Sequence, residues 1–334
     1  MVENHEVHLV QRPIGMPKKS DFAIVKNIVP ALQEGQILIK NRFFSVDPYM
    51  RGRMVDRKSY VPPYQLNEVM NGGCVGEIID SKNKKFSVGE TVYGFGGWRE
   101  YYVSSGKGLT RIDPSLAPIH NFLSILGLTG FTAYLGLIEI GKLKEGDTVF
   151  VSAAAGAVGS IACQIAKVKG CKVYGSAGSD SKIKYLLDEI GLDGAFNYKT
   201  NPEFRKEIRK LCPEGIDVYF DNVGGELLDA ILLNMKSFGR IVICGMISQY
   251  NKPKPDPLYN LIVSISKRLT IRGFIVSDYN DRLMEFISEM SKWYGSGQIK
   301  QKETIIEGIE NSIDAFLGLF SGDNIGKMIV KLQN

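Results

Sequence analysis

Residues 148–170 read TVFVSAAAGAVGSIACQIAKVKG and contain three successive patterns: a short β-rich run, a turn of small residues and an apolar stripe. The stripe has helical spacing and consists of Val158, Ile161, Ala162, Ile165 and Val168. A strand, a glycine-rich turn and a helix N-terminus together present backbone N–H groups to a phosphate. We therefore predict a phosphate-binding turn, in which Gly156 lets a phosphate approach the backbone and Gly159 lets the helix pack against the sheet.

This turn lacks the first glycine of the usual G-x-G-x-x-G spacing, and Ala153 or Ala154 stands in its place, depending on the alignment. Tight helix–strand packing without a ligand would use the same small residues. The sequence that follows favours a ligand site, because strand-like runs (KVYGSA, IDVYFDNV, RIVICG) alternate with helical runs. In the helical run that follows KVYGSA, DSKIKYLLDEIG, Asp180 is the expected N-cap and Gly191 the C-terminal stop. This alternation predicts βαβ units and a parallel sheet.

The end of the second strand, YGSAGSDSK, indicates which dinucleotide would bind. An NAD site usually has an acidic residue there for the ribose 2′-hydroxyl. Residues 176–179 are uncharged, and Asp180 is assigned to the helix cap. Lys182, one turn further on, is placed to pair with a 2′-phosphate as a point charge. We therefore predict NADPH/NADP as the cofactor, in preference to NADH.

The first ~125 residues differ from this pattern, because they are rich in Gly, Pro and short β-prone runs and predict a mainly antiparallel β domain. The C-terminal tail, with a predicted helix over 309–320 and a last strand over 327–332, is expected to return to that domain. The apolar run 122–140 is interrupted by Gly127, Gly130 and hydroxyl side chains. We interpret it as two buried helices joined by a turn, not as a membrane span.

Composition excludes several other classes of protein. The net charge of +5 comes from basic residues spread along the 334-residue chain, which argues against a nucleic-acid partner. The five cysteines are odd in number and form no C-x-x-C, and the start of the chain lacks the apolar run of a signal peptide. A cytoplasmic location is therefore expected. His5, His8 and His120 are not clustered with cysteine, so we predict that no metal is bound.

A longer set of motifs resembles one family. SAAAGAVGSIACQIAKVKGCKVYGSAGSDSK, FNYKT, DVYFDNVGG, ICGMISQYN, GDNIGK and SVDPYMRGRM are similar to the zinc-independent medium-chain dehydrogenase/reductases, in particular the prostaglandin reductases and plant alkenal double-bond reductases. The resemblance implies an α/β fold, a Rossmann doubly wound parallel sheet inserted in a GroES-like mainly-β domain. It implies a substrate domain of residues 1–125 plus 303–334, an NADPH domain of residues 126–302, and a homodimer.

The resemblance also implies a set of cofactor contacts. The pyrophosphate would be held by the glycine turn, the 2′-phosphate end by Lys182 and Tyr198, and the nicotinamide side by the loop around ICGMISQYN. Residue by residue, these are Gly156, Ala157, Val158, Gly159, Lys182, Tyr198, Asn222, Cys244, Gly245, Met246, Ile247, Ser248, Tyr250, Phe274, Ile275, Val276 and Asn324.

The reaction implied is NADPH-dependent reduction of the C=C bond of α,β-unsaturated aldehydes and ketones: alkenals, enones and 15-oxoprostaglandin-like substrates. A hydrogen-bond donor is needed where charge develops on the carbonyl oxygen, and a neutral tyrosine supplies one. One branch of the family has this tyrosine at the position of Ser266 here, which departs from that pattern. Another branch points to Tyr250 as the donor and Tyr60 as a substrate contact, and Tyr49 and Tyr259 remain as alternatives. An NADPH-dependent quinone reductase and a non-catalytic NADPH-binding protein remain as alternatives.

Overall fold

The structure is a computed structural model and describes residues 2–333. Contacts between Cα atoms divide this part of the chain into two compact units. The first unit combines the residues up to Ser124 with Glu303–Asn324 and with the residues from Met328 onward. The second unit comprises Ile125–Lys302 and Ile325–Lys327.

The N-terminal part of the first unit is built mainly from strands, with one short α-helix. In chain order these are β1 (Glu3–Leu9), β2 (Phe22–Ile28), β3 (Ile37–Ser45), α1 (Met50–Arg53), β4 (Cys74–Ser81), β5 (Thr91–Gly94), β6 (Tyr101–Ser104) and β7 (Thr110–Arg111). Antiparallel pairing joins β1 to β2, β3 to β4 and β6, and β5 to β4 and β7. The prediction of a mainly antiparallel β domain is confirmed.

The second unit alternates helices and strands. They are α2 (Leu128–Leu135), β8 (Thr148–Val151), α3 (Ala157–Val168), β9 (Lys172–Ala177), α4 (Asp180–Lys184), β10 (Gly194–Asn197), α5 (Phe204–Leu211), β11 (Ile216–Asp221), α6 (Gly225–Leu232), β12 (Met235–Ile243), α7 (Val263–Lys267), β13 (Thr270–Gly273) and α8 (Leu283–Gly295). Every residue of β8 is buried, as expected for a central strand covered by helices on both faces.

These six strands form one parallel sheet in the order β10-β9-β8-β11-β12-β13. The chain starts in the middle at β8, winds outward to β10, then returns to β11 and winds outward to β13. This order is that of a doubly wound Rossmann sheet, which confirms the predicted fold. In such sheets ligands bind beyond the carboxyl ends of the strands where the winding direction reverses, here between β8 and β11.

The C-terminal tail completes the first unit. It contributes β14 (Glu303–Glu307), α9 (Ser312–Ser321) and β15 (Lys327–Lys331), and the larger sheet runs β14-β15-β3-β4-β5-β7. The core of this unit centres on Trp98, whose ring stacks on Phe44 at 5.6 Å and meets Phe316 of α9 edge-on at 5.8 Å. The predicted last strand is confirmed. The predicted helix begins later than expected, because a separate turn, Ile309–Asn311, precedes α9.

The apolar run 122–140 contains one helix and not two. A 3-10 turn, Ile119–Leu123, occupies the place of the first predicted helix. Ser124 ends that turn with non-helical backbone angles, and its hydroxyl donates to the Glu303 carboxylate at 2.6 Å. The second predicted helix is α2, which continues as a wider turn to Ile140. Within residues 2–333 no helix has the length and apolar character that crossing a membrane requires.

Candidate functional site

The glycine turn has the backbone geometry that a phosphate site needs. Gly156 is the N-cap of α3 in an extended conformation, and Ala157 and Val158 begin the helix, so the first backbone N–H groups lack intrahelical partners. A Cβ on Gly159 would lie 2.3 Å from the carbonyl oxygen of Ala153, and one on Gly156 would lie 3.1 Å from the same atom. Only glycine fits at position 159, because its neighbour is backbone.

Ala153 has an unusual backbone conformation within the incomplete glycine motif. Its φ is +47°, in the left-handed region that favours glycine, whereas Ala154 is not among the residues with positive φ. Counted back from Gly156 and Gly159, the first glycine of G-x-G-x-x-G falls at Ala154, so the left-handed residue is the one before it. The turn therefore contains a strained alanine at position 153.

The 2′-phosphate end of the site is predicted at the end of β9 and the start of α4. The N-cap of α4 is Ser179, whose hydroxyl accepts a hydrogen bond from the Lys182 N–H at 3.3 Å. The prediction that Asp180 is the cap is wrong, because its carboxylate instead accepts from the Asn197 amide at 2.8 Å. Gly191 ends the helical segment with a φ of 78°, so the predicted stop is confirmed.

Tyr198 lies against the end of β9. A Cβ on Gly178 would lie 2.6 Å from its hydroxyl oxygen, so the glycine makes room for the tyrosine. Burial raises the pKa of Tyr198, which keeps the hydroxyl protonated at neutral pH. Ser176, the neighbouring buried residue of β9, has a hydroxyl with no hydrogen-bond partner among the described residues. An uncharged strand end with an unused donor suits a phosphorylated ribose better than an acidic end would.

Ser152 and Asp221 connect β8 and β11 where the winding direction reverses. The Ser152 hydroxyl donates to Asp221 Oδ1 at 3.0 Å and accepts from the backbone N–H of Asn222 at 2.8 Å. The Asn222 side-chain amide donates to the Ser152 carbonyl oxygen at 2.8 Å. Asn222, a predicted cofactor contact, therefore also holds the two strand ends together.

The loop that follows β12 rests on the loop that follows β11. The backbone N–H groups of Cys244 and Gly245 both donate to the carbonyl oxygen of Asp221, at 2.9 and 3.0 Å. Ile247 donates to the Asn222 carbonyl, and the backbone and hydroxyl of Ser248 both donate to the Val223 carbonyl. The predicted nicotinamide segment 244–250 thus lies at the carboxyl edge of the sheet, next to the reversal point.

Tyr250 lies at the end of this segment and folds back over it. Its hydroxyl oxygen accepts a hydrogen bond from the Met246 N–H at 3.2 Å. A Cβ on Gly245 would lie 3.1 Å from the same oxygen, so the glycine lets the hydroxyl approach the backbone. Together these contacts fix the phenol at the carboxyl edge of the sheet.

The remaining predicted residues lie on several different segments. Phe274, Ile275 and Val276 follow β13 and are half-buried. Tyr60 belongs to the first unit and is 62% exposed. Asn324, which is buried, directly precedes the Ile325–Lys327 segment, in which Gly326 donates to the Ala155 carbonyl of the glycine turn at 2.8 Å.

Ser266 lies on α7 and is exposed, with its hydroxyl bonded to the Val263 carbonyl. Its short side chain is held to its own helix, so it does not take the role of the tyrosine that one branch of the family has at this position. Of the tyrosines predicted to donate a hydrogen bond to the substrate, Tyr250 is the one that the structure places at the carboxyl edge of the sheet.

The histidines form ion pairs with carboxylates, and the cysteines are free thiols. Each histidine pairs with a carboxylate: His5 with Glu100 at 2.7 Å, His8 with Glu6 at 3.0 Å and His120 with Glu303. All five cysteines are free thiols. In residues 2–333 no group of three or more His, Cys, Asp or Glu side chains is arranged to hold a metal ion.

Ser152 and Asp221 at this edge were not singled out from the sequence, and Ser176 was noted only as part of an uncharged strand end. Each lies at or next to the end of a buried strand, and each is completely buried. Polar residues that end apolar strands were the available signal, since carboxyl ends of neighbouring parallel strands meet at one edge. Their unpaired atoms, the Ser176 hydroxyl and Asp221 Oδ2, together with the glycine cradle, fit a polar dinucleotide.

Comparison with known proteins agrees with this geometry. Residues 5–112 match the model of the N-terminal domain of oxidoreductases, and residues 157–292 match that of the zinc-binding dehydrogenases. The chain is 42% identical to the NADP(+)-dependent 2-alkenal reductase of Nicotiana tabacum, over 99% of this chain and 98% of that protein. It is 42% identical to prostaglandin reductase 1 of Rattus norvegicus, over 95% of both chains.

A solved structure of CurA in complex with NADPH, from Vibrio vulnificus, superimposes with a TM-score of 0.93. It is 40% identical to this chain and the match covers 99% of both. The chain belongs to the zinc-independent medium-chain dehydrogenase/reductase family. It is an NADPH-dependent oxidoreductase, and the predicted cofactor, NADPH/NADP, is confirmed.

Proposed function

We propose that this protein reduces the C=C bond of α,β-unsaturated aldehydes and ketones, with alkenals and larger enones as its substrate class. The observation that carries the proposal is the placement of Tyr250, a neutral hydroxyl held at the carboxyl edge of the sheet by the Met246 N–H. In support, relatives of high coverage include proteins named 2-alkenal reductase and prostaglandin reductase 1.

When bound, NADPH supplies the hydride for this reaction. Addition of hydride to the β-carbon of an enone leaves negative charge on the carbonyl oxygen, as an enolate. The Tyr250 hydroxyl would donate a hydrogen bond to that oxygen, which favours the transition state over the ground state. The exposed Tyr60 would contact the substrate, and the α-carbon would then take a proton from solvent.

Residues that would hold the cofactor have distinct tasks in this proposal. The first turn of α3, from Gly156 to Gly159, would bind the pyrophosphate through backbone N–H groups. Lys182 and Tyr198 would bind the 2′-phosphate end. Asn222 would lie by the ribose, and the 244–250 segment, with Phe274–Val276 and Asn324, would enclose the nicotinamide side.

The test is NADPH oxidation by the purified protein with four substrates: a short alkenal, a long oxo-enone acid, a quinone and a saturated ketone. We expect turnover of the two unsaturated carbonyl compounds, with the saturated aldehyde or ketone as product. Turnover of the quinone alone would select the quinone reductase. NADPH binding without turnover of any substrate would select the non-catalytic alternative.

We also propose that the protein is a homodimer, formed through the edge of the Rossmann sheet. β13 is the terminal strand of that sheet, and all four of its residues are exposed. Ile271 of β13 and Ile265 of the neighbouring α7 are large apolar residues on this edge, with 40% and 71% of their surface exposed. An unpaired strand edge beside apolar side chains is suited to pairing with a second copy.

A further inference from the structure

Asp221 is a buried carboxylate without a cationic partner. It is completely buried at the carboxyl end of β11, and within residues 2–333 it forms no ion pair with a lysine, arginine or histidine. Burying an unpaired charge costs much more than burying a neutral group of the same shape. An asparagine would fill the same space without that cost, so the charge itself calls for an explanation.

The hydrogen bonds around Asp221 indicate that the group is ionised. Four donors converge on Oδ1: the Tyr219 hydroxyl at 2.7 Å, the Ser152 hydroxyl at 3.0 Å, and the N–H groups of Val223 and Gly224 at 2.9 Å each. Oδ2 has no hydrogen-bond partner among the described residues, so a proton on it would find no acceptor. Donors alone surround the group, which is the environment of an anion.

The four hydrogen-bond donors lower the free-energy cost of burying the Asp221 carboxylate but do not remove it. Burial raises the pKa of the Asp221 carboxyl above its usual range, even though the four donors act in the opposite direction. The segment after β12 lies next to Asp221, because the backbone N–H groups of Cys244 and Gly245 donate to the Asp221 carbonyl oxygen at 2.9 and 3.0 Å. Burial, and after it the nearby Asp221 carboxylate, raise the pKa of the Cys244 thiol to about 12. Cys244 is the first residue of the predicted nicotinamide segment, so the field of the carboxylate reaches that segment.

We propose that Asp221 is the electrostatic partner of the oxidised nicotinamide ring and shifts the cofactor equilibrium at this site toward NADP⁺. The oxidised ring carries a positive charge that the reduced ring lacks, and the two forms are otherwise alike in charge. A fixed negative charge therefore favours the oxidised form, and with it the release of hydride to a substrate. The proposal rests on the proposed course of the nicotinamide along residues 244–250.

The test compares the dissociation constants of NADP⁺ and NADPH, measured by calorimetry and by cofactor fluorescence, in the wild type and in Asp221→Asn. Asparagine keeps the shape and the Oδ1 acceptor but removes the charge. We expect the ratio Kd(NADP⁺)/Kd(NADPH) to rise about tenfold, mainly through weaker NADP⁺ binding. A ratio within twofold of the wild type would overturn the proposal, whatever happens to the two constants separately.

Two further variants separate charge from structure. Tyr219→Phe removes one donor to Oδ1 but keeps the carboxylate, so both cofactor forms should weaken together and the ratio should stay within twofold of the wild type. Asp221→Ser removes the charge with a different side chain, and it should raise the ratio even if Asp221→Asn does not fold. No enone is present in these measurements. If the wild-type protein did not reduce the C=C bond of an enone, the proposed function would be refuted, but these cofactor measurements would still test the inference.

Discussion

The hydroxyl of Ser152 lies 3.0 Å from Oδ1 of Asp221 and joins the carboxyl ends of β8 and β11. The two strands are neighbours in the sheet, although Ser152 and Asp221 are 69 residues apart in the chain. The bond lies where the winding of the sheet reverses, which is where a doubly wound fold binds its ligand. It positions both the loop after β11 and, through it, the loop that carries Tyr250.

Replacing Ser152 by alanine should therefore destabilise the protein. The change leaves the Asn222 N–H without its acceptor and removes one donor from Asp221, so we expect a loss of about 1–3 kcal/mol in the free energy of unfolding. Urea denaturation measures this loss. Ser266→Ala is the matched control, since that hydroxyl is exposed on α7, and it should change stability by less than about 0.5 kcal/mol. Equal effects of the two changes would contradict the role assigned to Ser152.

Ala153 offers a stabilising substitution. Its φ of +47° is unfavourable for any residue with a Cβ, so Ala153→Gly should raise the free energy of unfolding by about 0.5–1 kcal/mol. The same change at Ala162, inside α3, should lower it by about 1 kcal/mol. Thermal or urea unfolding gives both numbers. A destabilised Ala153→Gly would show that this alanine is not strained.

Gly159 should tolerate no side chain. A Cβ there would lie 2.3 Å from the Ala153 carbonyl oxygen, so Gly159→Ala must displace the turn or α3. We expect NADPH affinity to fall at least tenfold, as measured by fluorescence titration. Gly295→Ala is the control, because a Cβ at Gly295 meets nothing within 4 Å. Unchanged affinity in Gly159→Ala would mean that the turn does not hold the cofactor.

Tyr250→Phe should lower kcat for an enone by about 10²-fold, the effect of losing one hydrogen-bond donor to a developing oxyanion. NADPH affinity should change much less, because the ring remains. Tyr174→Phe serves as the control: that tyrosine lies on β9 outside the predicted site residues, and loss of its hydroxyl should leave kcat unchanged. If Tyr250→Phe kept wild-type kcat, another group would have to donate to the carbonyl oxygen.

A charge on the sheet edge should separate the proposed dimer. Ile271→Lys places an ammonium on β13, and we expect sedimentation velocity to show a monomer where the wild type sediments as a dimer. Ile305→Lys is matched in exposure, 41% against 40%, but lies on β14 of the first unit, and it should remain dimeric. A wild type that sediments as a monomer would refute the proposal directly.

The sequence was sufficient for the parts of the fold that depend on local pattern. Alternating strands and helices predicted the parallel sheet, and Gly191 ended its helix as expected, since a left-handed C-terminal residue is a local preference for glycine. The mainly β character of the first unit followed in the same way from short β-prone runs.

Local pattern could not decide between neighbours with similar propensities. Ser179 and Asp180 are both good N-caps, and the amide of Asn197, brought close by the pairing of β9 with β10, bonds to the aspartate and leaves the serine as the cap. The run of three alanines likewise did not show that Ala153, and not Ala154, would take a positive φ. Both choices depend on tertiary contacts.

Long-range relationships at the site were beyond the sequence. The four donors on Asp221 come from β8, β11 and the loop that follows, and only the order of strands in the sheet brings the first of these close to the others. The 244–250 segment was assigned to the cofactor by resemblance. Its hydrogen bonds to the loop after β11, which hold it at the carboxyl edge of the sheet, could not be read from the sequence.

The central claim is that hydride goes to the β-carbon of an enone, and one labelling experiment tests it most directly. The protein is incubated with an α,β-unsaturated ketone and NADPH deuterated at C4, and the product is analysed by NMR and mass spectrometry. We predict a saturated ketone with deuterium on the β-carbon. An allylic alcohol with deuterium on the former carbonyl carbon would contradict the account.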